Sequence, residues 1–192
     1  MKKSHIQDLL DKWGVAHDAA FVLDRWSEPH RHYHGLRHLY TLIDAVSQLG
    51  GIKHEIRELL ILVTLYHDIV YIPGDPENEQ KSADLFMSGV RDPRDAHRDV
   101  AQAIIATKTH DWRSCTTVGA RMLAKIFNRL DMSVVESDMP GLLEWERGIR
   151  AEFSMYGDED YKRGRTQFLR SLLDRYPHNR RRLQDLIDHI NQ

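Results

Sequence analysis

The chain has 192 residues, enough for one domain with a substantial core, and its 41% hydrophobic and 29% charged residues suit a globular rather than a disordered protein. Lys and Arg number 27 against 29 Asp and Glu, so the formal charge of -2 gives no strong field for nucleic acid or an anionic membrane. The only cysteine, Cys115, excludes an internal disulfide and fits a reducing cytoplasm.

Apolar residues recur with helical period along almost the whole chain, and no alternating strand stands out. Ser4 is expected to cap a helix through Trp13, with Gly14 as its stop. A second helix is expected over His17–Ser27 and a third over Leu36–Leu49, with Leu36, Leu39, Ile43 and Val46 as its inward stripe. The next, Lys53–Val70, is apolar nearly all round and is expected to be buried. Asp75-Pro76 and Asp92-Pro93 share one grammar, a capping acid followed by proline, and are expected to start helices over Glu77–Val90 and Arg94–Thr109. Further helices are expected over Thr117–Val135, Pro140–Met155, Asp158–Arg175 (capped by Asp158) and Arg180–Ile190. The expectation is one all-α domain spanning residues 1–192, a bundle of about nine or ten helices. No secretory signal is visible, and the Leu59–Ile72 run is too short to span a bilayer, so a soluble cytoplasmic protein is expected.

Histidines are the compositional oddity, twelve in all and several of them clustered. His67 and Asp68 interrupt the apolar run, and burying an imidazole beside a carboxylate is costly unless something compensates. Both are common metal ligands, and coordination removes that cost; an internally satisfied hydrogen-bonded pair is the plainer alternative. Adjacent helical residues diverge by about 100°, so on a helix the two would not face each other but could share an ion. His34 and His38 are four apart and would share a helix face, whereas His32 reads as solvated. Asp131 falls on the edge of the stripe Leu123, Phe127, Leu130 and Val134, where a carboxylate needs a cation or several donors. His110 ends the stripe Val100, Ala103, Ile104 and Thr107, at a helix end that favours a histidine anyway. Lys108 either reaches a substrate phosphate or is simply exposed, and Glu79 is either a dipole partner or a base or hydrogen-bond acceptor facing a metal. The mixed imidazole and oxygen set suits one or two divalent ions without choosing among Mn, Fe, Co, Ni, Zn and Mg.

With this order of residues the chain resembles the HD-domain superfamily of metal-dependent phosphohydrolases, and within it the bacterial family of small HD phosphohydrolases. The resemblance rests on Tyr33-His34-x-x-x-His38, His67-Asp68-x-x-Tyr71, Asn78-Glu79-x-x-Ser82-Ala83, Thr107-Lys108-x-His110 and Asp131, over about residues 21–176. It implies an HD-type helical bundle in which His38, His67, Asp68 and Asp131 hold the principal ion. Similarity to cyclic-nucleotide phosphodiesterases implies that His34 is a general acid, and similarity to diadenosine tetraphosphatases implies that His110 is a ligand of a second ion. Arg150 and Arg165 match family-like positions and would bind phosphate or form interhelical ion pairs. Two departures stand out. Ile69-Val70-Tyr71-Ile72-Pro73 lacks the further histidine and asparagine of the phosphodiesterases, and Arg129 stands where the small-HD family often has an acid.

The expected activity is hydrolysis of a phosphate ester or anhydride of a small molecule, most plausibly a nucleotide, by metal-activated water, with catalytic roles for His34, Asp68 and Glu79. The alternatives are a non-catalytic nucleotide-binding or sensing module and a di-iron oxygenase. No nucleic-acid or membrane partner is expected. Homo-oligomerisation is compatible with the sequence, which does not specify it.

Overall fold

A helix enclosed on every side has to be apolar all round, and Leu59–Tyr66 meets that condition: every residue of it is buried. The computed structural model describes all residues, Met1–Gln192, and contains ten α-helices and no strand. They are α1 (Lys3–Lys12), α2 (Ala19–Trp26), α3 (Leu36–Gln48), α4 (His54–Tyr66), α5 (Asn78–Gly89), α6 (Asp95–Ile105), α7 (Val118–Asp131), α8 (Met139–Glu152), α9 (Asp158–Leu172) and α10 (Arg180–Ile190). The only sheet-like contact is an isolated antiparallel bridge between Val15 and Val90. No helix is long and apolar enough to cross a membrane.

The chain divides into two compact units, Met1–Asp131 and Met132–Gln192. In the first, α4 is the central element, packed against α3, α5, α6 and α7. Its Leu60, Leu62 and Leu65 join Leu39 and Ile43 of α3, Ile104 of α6 and Phe127 of α7 in one core. Each such side chain stabilises the fold by about 1.5–3 kcal/mol. Close approach fixes one glycine: a Cβ at Gly119, in the first turn of α7, would lie 2.0 Å from Oδ2 of Asp99 on α6. In the second unit α10 packs against α8 and α9, burying Leu142, Trp145, Leu169, Leu172, Leu183 and Leu186.

Helix ends depart from the sequence reading in ways that matter for the site. α1 starts at Lys3 without a side-chain cap, so Ser4 lies within its first turn. Both Asp-Pro pairs lie ahead of their helices. α5 begins at Asn78 and α6 at Asp95, and Asp75 instead accepts the Glu77 N–H and pairs with Lys81. α9 begins at Asp158 itself, with Gly157 as the N-cap, and ends at Leu172. Most consequentially, α4 stops at Tyr66, four residues before the expected end. Side chains from elsewhere take up carbonyls at and beyond this end: Trp26 Nε1 donates to Leu65 O at 2.9 Å, and Arg31 donates to Asp68 O and Ile69 O. His67 and Asp68 therefore occupy a turn.

Candidate metal centre

Every residue assigned to metal binding lies in the first unit. His38 comes from the first turn of α3, His67 and Asp68 from the turn after α4, and Asp131 from the last residue of α7. Ligand atoms of His38, His67 and Asp68 all lie within 4.8 Å of one another. Asp131 faces the same group, with Oδ1 3.1 Å from His38 Nε2 and 3.7 Å from His67 Nε2. Its other oxygen, Oδ2, is hydrogen bonded to His110 Nε2 at 3.0 Å. His67, the C-cap of α4, keeps helical backbone angles and donates its backbone N–H to Val63 O, and its Nε2 lies 3.2 Å from Asp68 Oδ2, close enough for the two to share an ion.

The orientation of His67 has a backbone cause. Its Nδ1 lies 3.0 Å from Thr64 O, and donating a proton there leaves Nε2 as the lone-pair nitrogen aimed at the carboxylates. Phe127 and Trp26 flank the ring, with centroids at 4.9 and 5.3 Å. Yet the Nε2 atoms of both His38 and His67 are fully buried with no aligned hydrogen bond. The nearest carboxylate oxygens lie 3.1 Å from His38 Nε2 and 3.2 Å from His67 Nε2. Buried polar nitrogens are normally satisfied, and two orphans beside two carboxylates form a donor set for which a divalent cation is the natural partner.

The electrostatics point the same way. Burial works against charge on His67, but the carboxylates of Asp68 and Asp131, with the Thr64 carbonyl, push its pKa up to about 9. Burial likewise opposes ionisation of Asp68, while His67 and the charge of His34 hold its carboxyl well below the usual range. Asp131 also stays ionised against burial, held by His110, His38 and His67. Two ionised carboxylates hold a proton on a buried imidazole; a cation would meet the same demand for positive charge.

His34 precedes α3 instead of lying on it, because Gly35 is the N-cap. Its ring is nonetheless 5.8 Å from that of His38 and packs against Tyr71 at 4.4 Å. α6 ends at Ile105, and the 3-10 turn Ala106–Lys108 that follows carries the chain to His110. His110 has φ 51°, a left-handed conformation costing of order 1–3 kcal/mol in a residue with a Cβ. Its bond to Asp131 shows what that conformation achieves. Glu79 is half-buried. Burial raises its pKa, opposed by its own backbone N–H and seconded by the charge of Asp68, with Lys108 and His110 pulling it back down. Lys108 donates to Pro76 O at 2.6 Å and stands 3.7 Å from Glu77.

Arg150 and Arg165 belong to the second unit. Arg150 pairs with Asp158 and donates to Phe153 O. Arg165 is buried, bonded through Nε to Glu146 Oε2 at 2.8 Å and lying over the Trp145 ring at 4.1 Å. Its structural partnership is interhelical, between α9 and α8.

Sequence reasoning missed the residues that hold the ligand-bearing turn in place. Arg31 and Trp26 grip it from one side. From the other, Ser82 Oγ contacts both Val70 N and Val70 O, and the Asn78 amide pairs with both Ile72 N and Ile72 O. Asn78 and Ser82, which flank Glu79 in the sequence motif, tie residues 70–72 to α5. No protein-family model matches the chain, and no curated protein does either.

Proposed function

We propose that the protein is a metal-dependent phosphohydrolase of the HD type, acting on a phosphate ester or anhydride of a small molecule, with nucleotides as the leading substrate class. One observation carries the reading: buried nitrogens of His38 and His67 without aligned hydrogen bonds converge with Asp68 and Asp131. His38, His67, Asp68 and Asp131 would hold the ion, and His110 and Glu79 stand where a second could be supported. A divalent cation bound there supplies Lewis acidity toward phosphoryl oxygens and toward water.

The remaining work falls to the chain itself. The ionised Asp68 accepts a hydrogen bond from the attacking water and orients it. His34, beside the cluster but outside the ligand set, donates a proton to the departing oxygen. Lys108, half-exposed and within electrostatic range of Glu79, offers a positive charge to phosphate oxygens. The buried surroundings of His38 and His67 keep bulk water from competing for these contacts.

The test is elemental analysis of the purified protein, followed by phosphate-release assays with Mn²⁺, Co²⁺, Ni²⁺ and Mg²⁺ over deoxynucleotides, monophosphates, cyclic nucleotides and dinucleoside polyphosphates. Divalent metal with turnover of at least one class is the expected result. Tight nucleotide binding without release under any metal would instead identify a sensing module, and oxygen-dependent turnover a di-iron oxygenase.

A further inference from the structure

Arg31 has the most completely enclosed cationic head near the candidate centre, and the hydrolytic reading gives it no role. Its side chain is 0% exposed. Nε donates to Glu28 Oε2 at 3.0 Å, and Nη2 donates to Ile69 O at 3.1 Å. Nη1 donates to two carbonyls at once, Asp68 O at 2.7 Å and His34 O at 3.1 Å. The guanidinium also lies 5.5 Å from the Trp26 ring centroid and 5.4 Å from that of Tyr71. One planar fork thus joins the main chain of the assigned proton donor to the main chain of an assigned ligand.

Desolvating a guanidinium is costly, and a single partly exposed carboxylate repays little of that cost. The three carbonyls make the arrangement viable, and they also give it a consequence. Asp68 and Ile69 lie just beyond the end of α4, where no helical N–H is available to their carbonyls. Without Arg31 the turn would have several ways to point its side chains. With it, the peptide after Asp68 is pinned to the peptide after His34.

We propose that Arg31 is the positioning residue of the metal centre: by clamping the Asp68, Ile69 and His34 carbonyls it sets the direction in which Asp68 presents its ligand oxygen beside His67. This rests on the metal-centre reading of the same residues. A lysine ammonium keeps the charge but cannot span the four acceptors that the planar fork reaches.

The same chain contains a control. Arg57, near the start of α4, donates to Val46 O, Ser47 O and Leu49 O and so ties down the end of α3. It lies ten residues, and by helix rise about 15 Å, from the ligand turn. The experiment is titration of full-length wild type, Arg31→Lys and Arg57→Lys with Co²⁺, followed calorimetrically and by the visible d–d absorption, with melting temperatures of the metal-free proteins measured in parallel. Arg31→Lys is expected to weaken Co²⁺ binding by roughly 10–100-fold, the usual cost of removing a group that orients a ligand, and to change the absorption band. Arg57→Lys is expected to lower the melting temperature while keeping wild-type affinity and spectrum. Wild-type affinity and spectrum in Arg31→Lys would overturn the positioning role while leaving the metal centre standing. Equal weakening in both variants would also overturn it, as a general loss of fold. Absence of Co²⁺ binding by the wild type would overturn the metal centre itself, and the positioning role with it.

Discussion

Each unit of the molecule buries a cluster of ionisable side chains, and the two clusters are finished differently. In the second unit Glu146 accepts from Tyr161 Oη on one oxygen and from Arg165 Nε on the other. Arg165 Nη2 is buried without a hydrogen bond, and its guanidinium lies 4.1 Å from the Trp145 ring centroid. Opposite charges are matched one to one, Glu146 to Arg165. In the first unit two carboxylates, Asp68 and Asp131, face imidazoles whose buried Nε2 atoms make no aligned hydrogen bond although carboxylate oxygens lie 3.1 and 3.2 Å away. The difference separates a buried ion pair that serves the fold from a donor set able to hold a cation.

The largest expected effect comes from breaking the unfinished cluster. His67→Ala and Asp68→Ala should each reduce divalent metal in the purified protein to background and abolish turnover at the same time, as elemental analysis and phosphate release would register. Metal retained at wild-type levels in either variant would remove that residue from the ligand set. Next comes His34→Ala, which should retain its metal yet turn over roughly 10²–10⁴-fold more slowly, as expected for loss of a general acid. An unchanged rate would take His34 out of the mechanism. The finished cluster should respond in stability. Glu146→Ala leaves a buried guanidinium without its carboxylate and should cost about 3–5 kcal/mol in chemical denaturation, with metal content unchanged. Joint replacement of Glu146 by Leu and Arg165 by Met should recover part of that loss, because apolar side chains carry no desolvation cost.

The contrast also shows what could be read from the chain before its fold was known. The all-helical architecture was legible because amphipathic period and the apolar run of α4 are statements about side chains. His67, Asp68 and Asp131 stood out for the same reason, as polar groups among apolar neighbours, whereas their grouping with His38 was implied by the resemblance to the HD superfamily. Arg31 was not legible, because its partners are main-chain carbonyls, which every residue carries and no sequence distinguishes. The early end of α4 was hidden by the same fact, since the side chains of Trp26 and Arg31 that take up carbonyls at and beyond that end come from more than thirty residues upstream. The left-handed His110 depends on a bond to Asp131, twenty-one residues later, that local pattern could not indicate.

Two buried histidines sharpen the comparison at its finest grain. His67 and His97 are each only 1% exposed. The carboxylates around His67 raise its pKa, whereas His97 is satisfied in its neutral form: Nδ1 accepts the Arg94 N–H at 3.0 Å, and Nε2 donates to Trp13 O at 2.9 Å. Burial lowers the pKa of His97, the Trp13 carbonyl partly offsets this, and Arg94 lowers it further. A second proton would also place an N–H against the Arg94 N–H. The unfolded chain takes up that proton near the ordinary histidine value of 6.5, and the folded chain does so only at lower pH. The contribution of His97 to stability is therefore complete above pH 6.5 and declines as the pH falls below it toward the folded-state pKa. In His97→Gln an amide can still accept from Arg94 and donate to Trp13 but does not titrate. Denaturation midpoints of wild type and His97→Gln, compared from pH 8 down to pH 5, should show the wild type losing more stability on acidification than the variant. Parallel curves would mean that this imidazole is protonated equally in the folded and unfolded chains, contrary to the two hydrogen bonds that hold it neutral.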